Sequence, residues 1–375
     1  MKQFRTVGCQ TGGPFNVPYL LTYFIILFYF YSKCSILFIK SKLYAGDFPM
    51  KTTLLSILIL VLLFLTLATL LISYICFRIA FYASRKEPAN PEEYSIPEGE
   101  IYEPFRDQMI SWMKQTRALP HQEFEITSFD GLTLHGNYYE YAPGAPIELM
   151  FHGYRGSAER DLGGGVQRCF KLGRNILLVD QRTSGRSEGQ VITFGINESR
   201  DCHSWIKFLI SHFGSDVKIV LTGISMGAAT VMIAAGDPLP ENVIGVLADC
   251  GYTSAKDIIK KTIREMKLPP ALAYPFVKLG ARLYGHFDPD ETSPIEAMKH
   301  CQRPIIFIHG EADDFVPCHM SIRSYEACTA PKTILTVPGA GHGLAYLIGM
   351  EDYFETLLDF SNKHIIETAL TDYPL

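Results

Sequence analysis

At 375 residues and 47% apolar content the chain can build one sizeable hydrophobic core, and a formal net charge of −5 leaves no basic field for holding nucleic acid. Even cysteine parity beyond residue 160 (Cys169, Cys202, Cys250, Cys301, Cys318 and Cys328) permits disulfides. In a domain with this much core, reduced and partly buried thiols are the commoner state, which leans toward a cytoplasmic face.

Residues 1–49 hold an apolar run from Val17 to Tyr31, then Lys33 and Cys34 to Ile39. Two readings of this segment stand: a second membrane span, or residues ahead of a true start at Met50, since Met50-Lys51 resembles an initiator with a short basic n-region. Thr52 to Phe77 carries no charge over 26 positions, so residues 50–80 are expected to form an uncleaved transmembrane helix. The run is too long for a signal-peptide core, and no small-x-small cleavage site precedes Arg85-Lys86. Basic residues flank it on both sides (Lys40, Lys42 and Lys51; Arg78, Arg85 and Lys86), so charge does not orient it. Residues 81–103 turn polar and proline-rich, with Pro88, Pro91 and Pro97, and are expected to be a linker to a folded domain over 104–375.

That domain opens with an expected helix from Pro104 to about Thr116, then extended runs Glu123 to Ser128 and Leu132 to Glu140 joined by Phe129-Asp130-Gly131, a hairpin signal. Continuous apolar strands then alternate with helical stretches, the pattern of a parallel sheet covered on both faces. The strands are Ile147 to Phe151, Asn175 to Asp180, Lys218 to Thr222, Val243 to Ala248, Pro304 to Ile308 and Lys332 to Val337, so the sheet should have eight. Helices are expected near Arg160 to Leu172, Ser199 to Phe213, Met226 to Ala235, Pro294 to His300 and Ile348 to Ile366. Residues 251–294 form an insertion with helical patterns at Ala255 to Met266 and Ala271 to Tyr284, a small cap. Its Leu268, Leu272, Phe276 and Leu283 either line an acyl pocket or pack the cap onto the sheet.

Chemistry concentrates at the carboxyl ends of the strands, where sites belong in this architecture. Gly223-Ile224-Ser225-Met226-Gly227 stands between an apolar strand and a small-residue helix start, the tight turn that lifts a serine hydroxyl out of the fold. Phe151-His152-Gly153-Tyr154-Arg155-Gly156 offers the Tyr154 N–H, which with the Met226 N–H would make an oxyanion hole; His152 is read as shaping this loop. Three acids follow His309-Gly310, and Asp313 is chosen over Asp314 to orient the base. His342, among glycines after the last strand, is that base. Asp249 is the alternative acid. Asp180 and Arg182 are read as loop architecture, and Cys318-His319 lacks a second ligand pair at metal spacing. No cofactor or metal is expected.

With these motifs quoted, the chain resembles the α/β-hydrolase superfamily, and within it the membrane-anchored serine hydrolases often called Bem46-like. The resemblance covers roughly Glu123 to Ile366 and rests on His152-Gly153-x-x-Gly156, Asp180-Gln181-Arg182-x-x-Gly185-x-Ser187, Gly223-x-Ser225-x-Gly227, His309-Gly310-x-x-Asp313-x-x-Val316-Pro317 and Gly341-His342. It implies a serine hydrolase, carboxylesterase- or lipase-like, acting on an ester, thioester or amide of a small or lipid acyl substrate. The alternatives are aminopeptidase or acyl-peptide hydrolase activity, and a catalytically silent membrane scaffold.

Overall fold

The computed structural model describes residues 50–83 and 94–374; the expectations for residues 1–49 lie outside the described residues, as do residues 84–93 of the polar stretch. By contacts the chain divides into two units, one ending at Ala68 and one running from Thr69. Helix α1 (Met50–Ala80) is long and apolar enough to cross a bilayer: its stretch Thr52–Ala80 has 29 residues and a mean hydropathy of 3.0. At 1.5 Å per residue this reaches about 43 Å, beyond the ~30 Å hydrocarbon thickness. Within the first unit the leucines at 54, 55, 58, 60, 62, 63, 65 and 67 are all exposed.

The second unit is built on an eight-stranded sheet. In chain order its elements are α2 (Arg106–Ala118), β1 (Gln122–Thr127), β2 (Thr133–Tyr139), β3 (Ile147–Phe151), α3 (Ala158–Lys171), β4 (Asn175–Val179) and α4 (Ile196–Phe213). There follow β5 (Ile219–Ile224), α5 (Met226–Ala235), β6 (Val243–Asp249), the cap helices α6 (Ala255–Glu265) and α7 (Pro270–Tyr284), and α8 (Pro294–Met298). The chain closes with β7 (Ile305–Gly310), α9 (His319–Ala327), β8 (Lys332–Val337), α10 (Ala345–Ile348) and α11 (Met350–His364). Strand order is β1-β2-β4-β3-β5-β6-β7-β8, antiparallel from β1 to β4 and parallel from there on.

Central strands β3, β4 and β7 are buried at every position, which is why they read as mostly apolar runs. The one acid among them, Glu148 on β3, is held by Arg168, by Arg174 at 3.0 Å and by the Thr222 hydroxyl at 2.7 Å. Burial alone would raise this carboxyl; the two guanidiniums overcome it and bring it down to about 2.

Two expectations change. Leu268, Leu272 and Leu283 do not pack the cap onto the sheet: they are exposed on the cap surface, and the buried residues of α7 are Tyr274, Val277, Gly280 and Ala281. The stretch expected as a linker begins inside the domain. Phe81 is completely buried, Tyr82 bridges to Val191, and the Ala83 amide donates to the Gln190 carbonyl at 2.9 Å.

Candidate active site

The turn after β5 explains its own glycines. A Cβ on Gly223 would come within 2.0 Å of the Gly227 carbonyl oxygen, and one on Gly227 within 2.0 Å of the Phe151 carbonyl oxygen. Ser225 sits between them at φ 57 and ψ −114, a backbone conformation that a side-chain-bearing residue keeps only when its surroundings impose it. Here the Ser225 amide is pinned to the Asp249 carbonyl at 2.8 Å, and helix α5 starts at the next residue.

Three elements bring Ser225, His342 and Asp313 into one hydrogen-bonded chain. The Ser225 Oγ lies 2.9 Å from His342 Nε2, and His342 Nδ1 lies 2.7 Å from Asp313 Oδ2. Because an ionised carboxylate only accepts, the proton belongs on Nδ1, which leaves Nε2 to accept from the serine hydroxyl. Asp313 Oδ1 takes the amides of Phe315 at 2.9 Å and Val316 at 2.7 Å. Burial pushes the Asp313 carboxyl up, but its bonds to His309, His342 and the Val316 amide outweigh that and hold it at about 2.

His309 has a part in this arrangement that sequence reading did not assign. Fully buried, its Nε2 lies 2.7 Å from the Val316 carbonyl and 3.2 Å from Asp313 Oδ2, both acceptors, so Nε2 carries the proton and backs the acid from behind. Tyr102 is a second: its hydroxyl donates to the His342 carbonyl at 3.0 Å. The first lay inside a quoted motif; the second left no sequence signal, because its partner is 240 residues away.

The loop after β3 is shaped by His152, whose Nδ1 donates to the Gly153 carbonyl at 2.8 Å while Nε2 accepts the Gln181 amide at 3.0 Å. Among the described residues no protein group takes the N–H of Tyr154 or of Met226. Arg182 is buried between Asp201 at 2.7 Å and Asp130 at 3.0 Å, and Asp180 takes the Arg186 amide, so both keep to loop structure. Cys250, at φ 46, groups with Asp313 and His342, their candidate ligand atoms all lying within 4.8 Å of one another. Burial pushes its thiol well up. Cys318 and His319 are not in that grouping.

Asp249 ends β6 within the fold, accepts from the Tyr353 hydroxyl at 3.3 Å, and borders a cavity of about 80 Å³ behind the turn, one that Ser225 does not line. Burial raises its carboxyl to about 6, against the pull of His309, Tyr353, Arg168 and His342. An acid with a folded pKa above its unfolded value binds its proton more tightly when folded. It therefore costs nothing below about pH 4 and destabilises progressively as pH rises through 6. Asp249→Asn is expected to raise stability by up to about 2–3 kcal/mol at pH 8 and by little at pH 4, which denaturant melts at the two pH values will check.

A parallel sheet with β-hairpin edge, a serine on a strand-to-helix turn and a histidine after the last strand define the α/β-hydrolase class. A model of the prolyl oligopeptidase family matches residues 192–368. The Bem46 protein of Schizosaccharomyces pombe is 24% identical over 258 residues, 67% of this chain and 79% of its own. The uncharacterised protein YqkD of Bacillus subtilis is 27% identical over 190 residues, 50% of this chain and 62% of YqkD, so the chain spans less than two thirds of that relative. The esterase Pf2001 of Pyrococcus furiosus superimposes with a TM-score of 0.56 at 20% identity, covering 76% of this chain and 99% of that one, a likeness of fold. The chain has the fold of the α/β-hydrolase superfamily, and Bem46-like proteins are among its relatives.

Proposed function

We propose that this protein is a membrane-anchored serine hydrolase that cleaves a carboxylic ester, thioester or amide through an acyl-enzyme. The observation that carries the reading is the chain Ser225 Oγ to His342 Nε2 at 2.9 Å and His342 Nδ1 to Asp313 Oδ2 at 2.7 Å, beside two unengaged backbone amides. Ser225 Oγ attacks the carbonyl carbon while His342 Nε2 takes its proton, and Asp313 steadies the imidazolium that forms. Negative charge then developing on the carbonyl oxygen is met by the N–H groups of Tyr154 and Met226, each of which is worth about 2.7–4 kcal/mol in such sites. His342 returns the proton to the leaving group, and water entering by the same base releases the acyl group.

A carboxylate at the turn would have supported epoxide or haloalkane chemistry; a serine supports acyl transfer. Helix α1, with its exposed leucines, supports the anchor. Retention of the full chain in membranes through an alkaline wash, together with faster turnover of p-nitrophenyl esters than of aminoacyl anilides in detergent, is the expected outcome. Faster anilide turnover would move the reading to an aminopeptidase or acyl-peptide hydrolase, and release of the chain by the wash would remove the anchor.

A further inference from the structure

A helix end leaves its last carbonyls without intrahelical partners, and they must find donors elsewhere. At the end of α1 each carbonyl from Ile79 to Tyr82 has one from the hydrolase domain. Arg155 Nη2 donates to the Ile79 carbonyl at 2.9 Å and to the Tyr82 carbonyl at 3.1 Å, the Tyr154 hydroxyl to the Ala80 carbonyl at 2.8 Å, and the Ile192 amide to the Phe81 carbonyl at 2.8 Å. The guanidinium also meets the negative end of the helix dipole. Residues 69–83 lie in the same compact unit as these partners.

Packing makes the end rigid. Phe81 sits edge-on to Phe194, with ring centres 5.6 Å apart, and to Phe287 at 5.1 Å; Tyr154 lies 5.1 Å from Phe194 on the other side. Phe77 and Phe81 share one buried cluster with Met226. Further down, a Cβ on Gly280 of α7 would come within 2.2 Å of the Ser73 carbonyl oxygen, and the Tyr284 hydroxyl donates to the Leu70 carbonyl at 3.1 Å.

Two of these donors, Tyr154 and Arg155, are consecutive residues of the loop that offers the Tyr154 N–H. Arg155 is held at φ 53, in the left-handed region that costs a side-chain-bearing residue about 1 kcal/mol or more unless its surroundings impose it. We infer that the end of helix α1 is a bracket for the oxyanion loop: the side chains of Tyr154 and Arg155 are positioning residues that fix the Tyr154 N–H by gripping the carbonyls of residues 79–82. The inference rests on the serine-hydrolase reading above. It makes the membrane helix part of the catalytic apparatus as well as a tether.

Removing the helix outright would expose Phe194 and Phe287 and confound folding with catalysis, so the test uses single groups in the full chain in detergent. Tyr154→Phe deletes one hydroxyl and keeps the ring; Arg155→Gln deletes the guanidinium, and Arg155→Lys keeps a donor. Three quantities are read: kcat and KM on one p-nitrophenyl ester, affinity for a trifluoromethyl ketone that forms a tetrahedral adduct on serine, and Tm. The expected result is a kcat lower by about tenfold in Tyr154→Phe and Arg155→Gln, ketone affinity lower by the same factor, KM and Tm nearly unchanged, and partial recovery in Arg155→Lys. Unchanged kcat, or a fall in Tm with ketone affinity intact, overturns the bracket. A wild-type chain that binds the ketone no better than Ser225→Ala overturns instead the reading on which it rests.

Discussion

Replacing Ser225 by alanine is expected to lower kcat by about 10⁶ on any ester the wild-type chain turns over, with KM changed little. The loss is this large because on the proposed mechanism the hydroxyl is the atom that bonds to the substrate, and the thiol grouped with His342 and Asp313, Cys250, is completely buried with its pKa pushed well up. What survives is the contribution of binding and of the backbone donors, on the order of 10³ over water. Structure should be unaffected. Ser225 owes its backbone conformation to Gly223, Gly227 and the Asp249 carbonyl, all retained in the variant. Steady-state kinetics beside a thermal melt checks this, and a variant that folds and still turns over at a tenth of the parent rate would remove Ser225 from the chemistry.

Asp313→Asn is the second. The amide keeps shape and volume, but its nitrogen cannot accept the His342 Nδ1 proton, so the imidazole takes the tautomer that points a hydrogen at the serine. Turnover is expected to fall by about 10⁴ with KM nearly constant. Asp249→Asn and Asp314→Asn serve as controls and should stay within about tenfold of the parent. Asp249 engages Tyr353, and Asp314 is exposed, its carbonyl accepting from Lys261. An active Asp313→Asn beside a dead Asp249→Asn would move the acid to β6.

Much of this was legible in the sequence because the physics was local. The ranges of β3, β8 and α5 match those expected from the sequence pattern, and the turn at Ser225 follows from its flanking strand, its glycines and its alanines. Helix α9 was not expected: His319-Met320-Ser321-Ile322-Arg323 has weak helical spacing, Ile322 is exposed, and only tertiary contact of Met320, Ser321 and Ser324 with the core fixes it. The cap leucines failed for a related reason. Hydrophobicity marks a residue as able to be buried, and Leu272 is 69% exposed. What pattern could not supply was pairing between distant segments. The grip of Tyr154 and Arg155 on the end of α1 spans more than 70 residues, and the bond from Tyr102 to the His342 carbonyl spans 240. Such contacts leave no period in the chain.

The central claim is that Ser225 is the nucleophile of an acyl-enzyme, and covalent labelling tests it most directly. The full chain in detergent is treated with a fluorophosphonate, its intact mass is measured, and the modified peptide is sequenced by mass spectrometry. The account predicts a single adduct on Ser225, absent from Ser225→Ala and formed far more slowly in His342→Ala. A folded chain that takes up no label, or one labelled equally in Ser225→Ala, would contradict it.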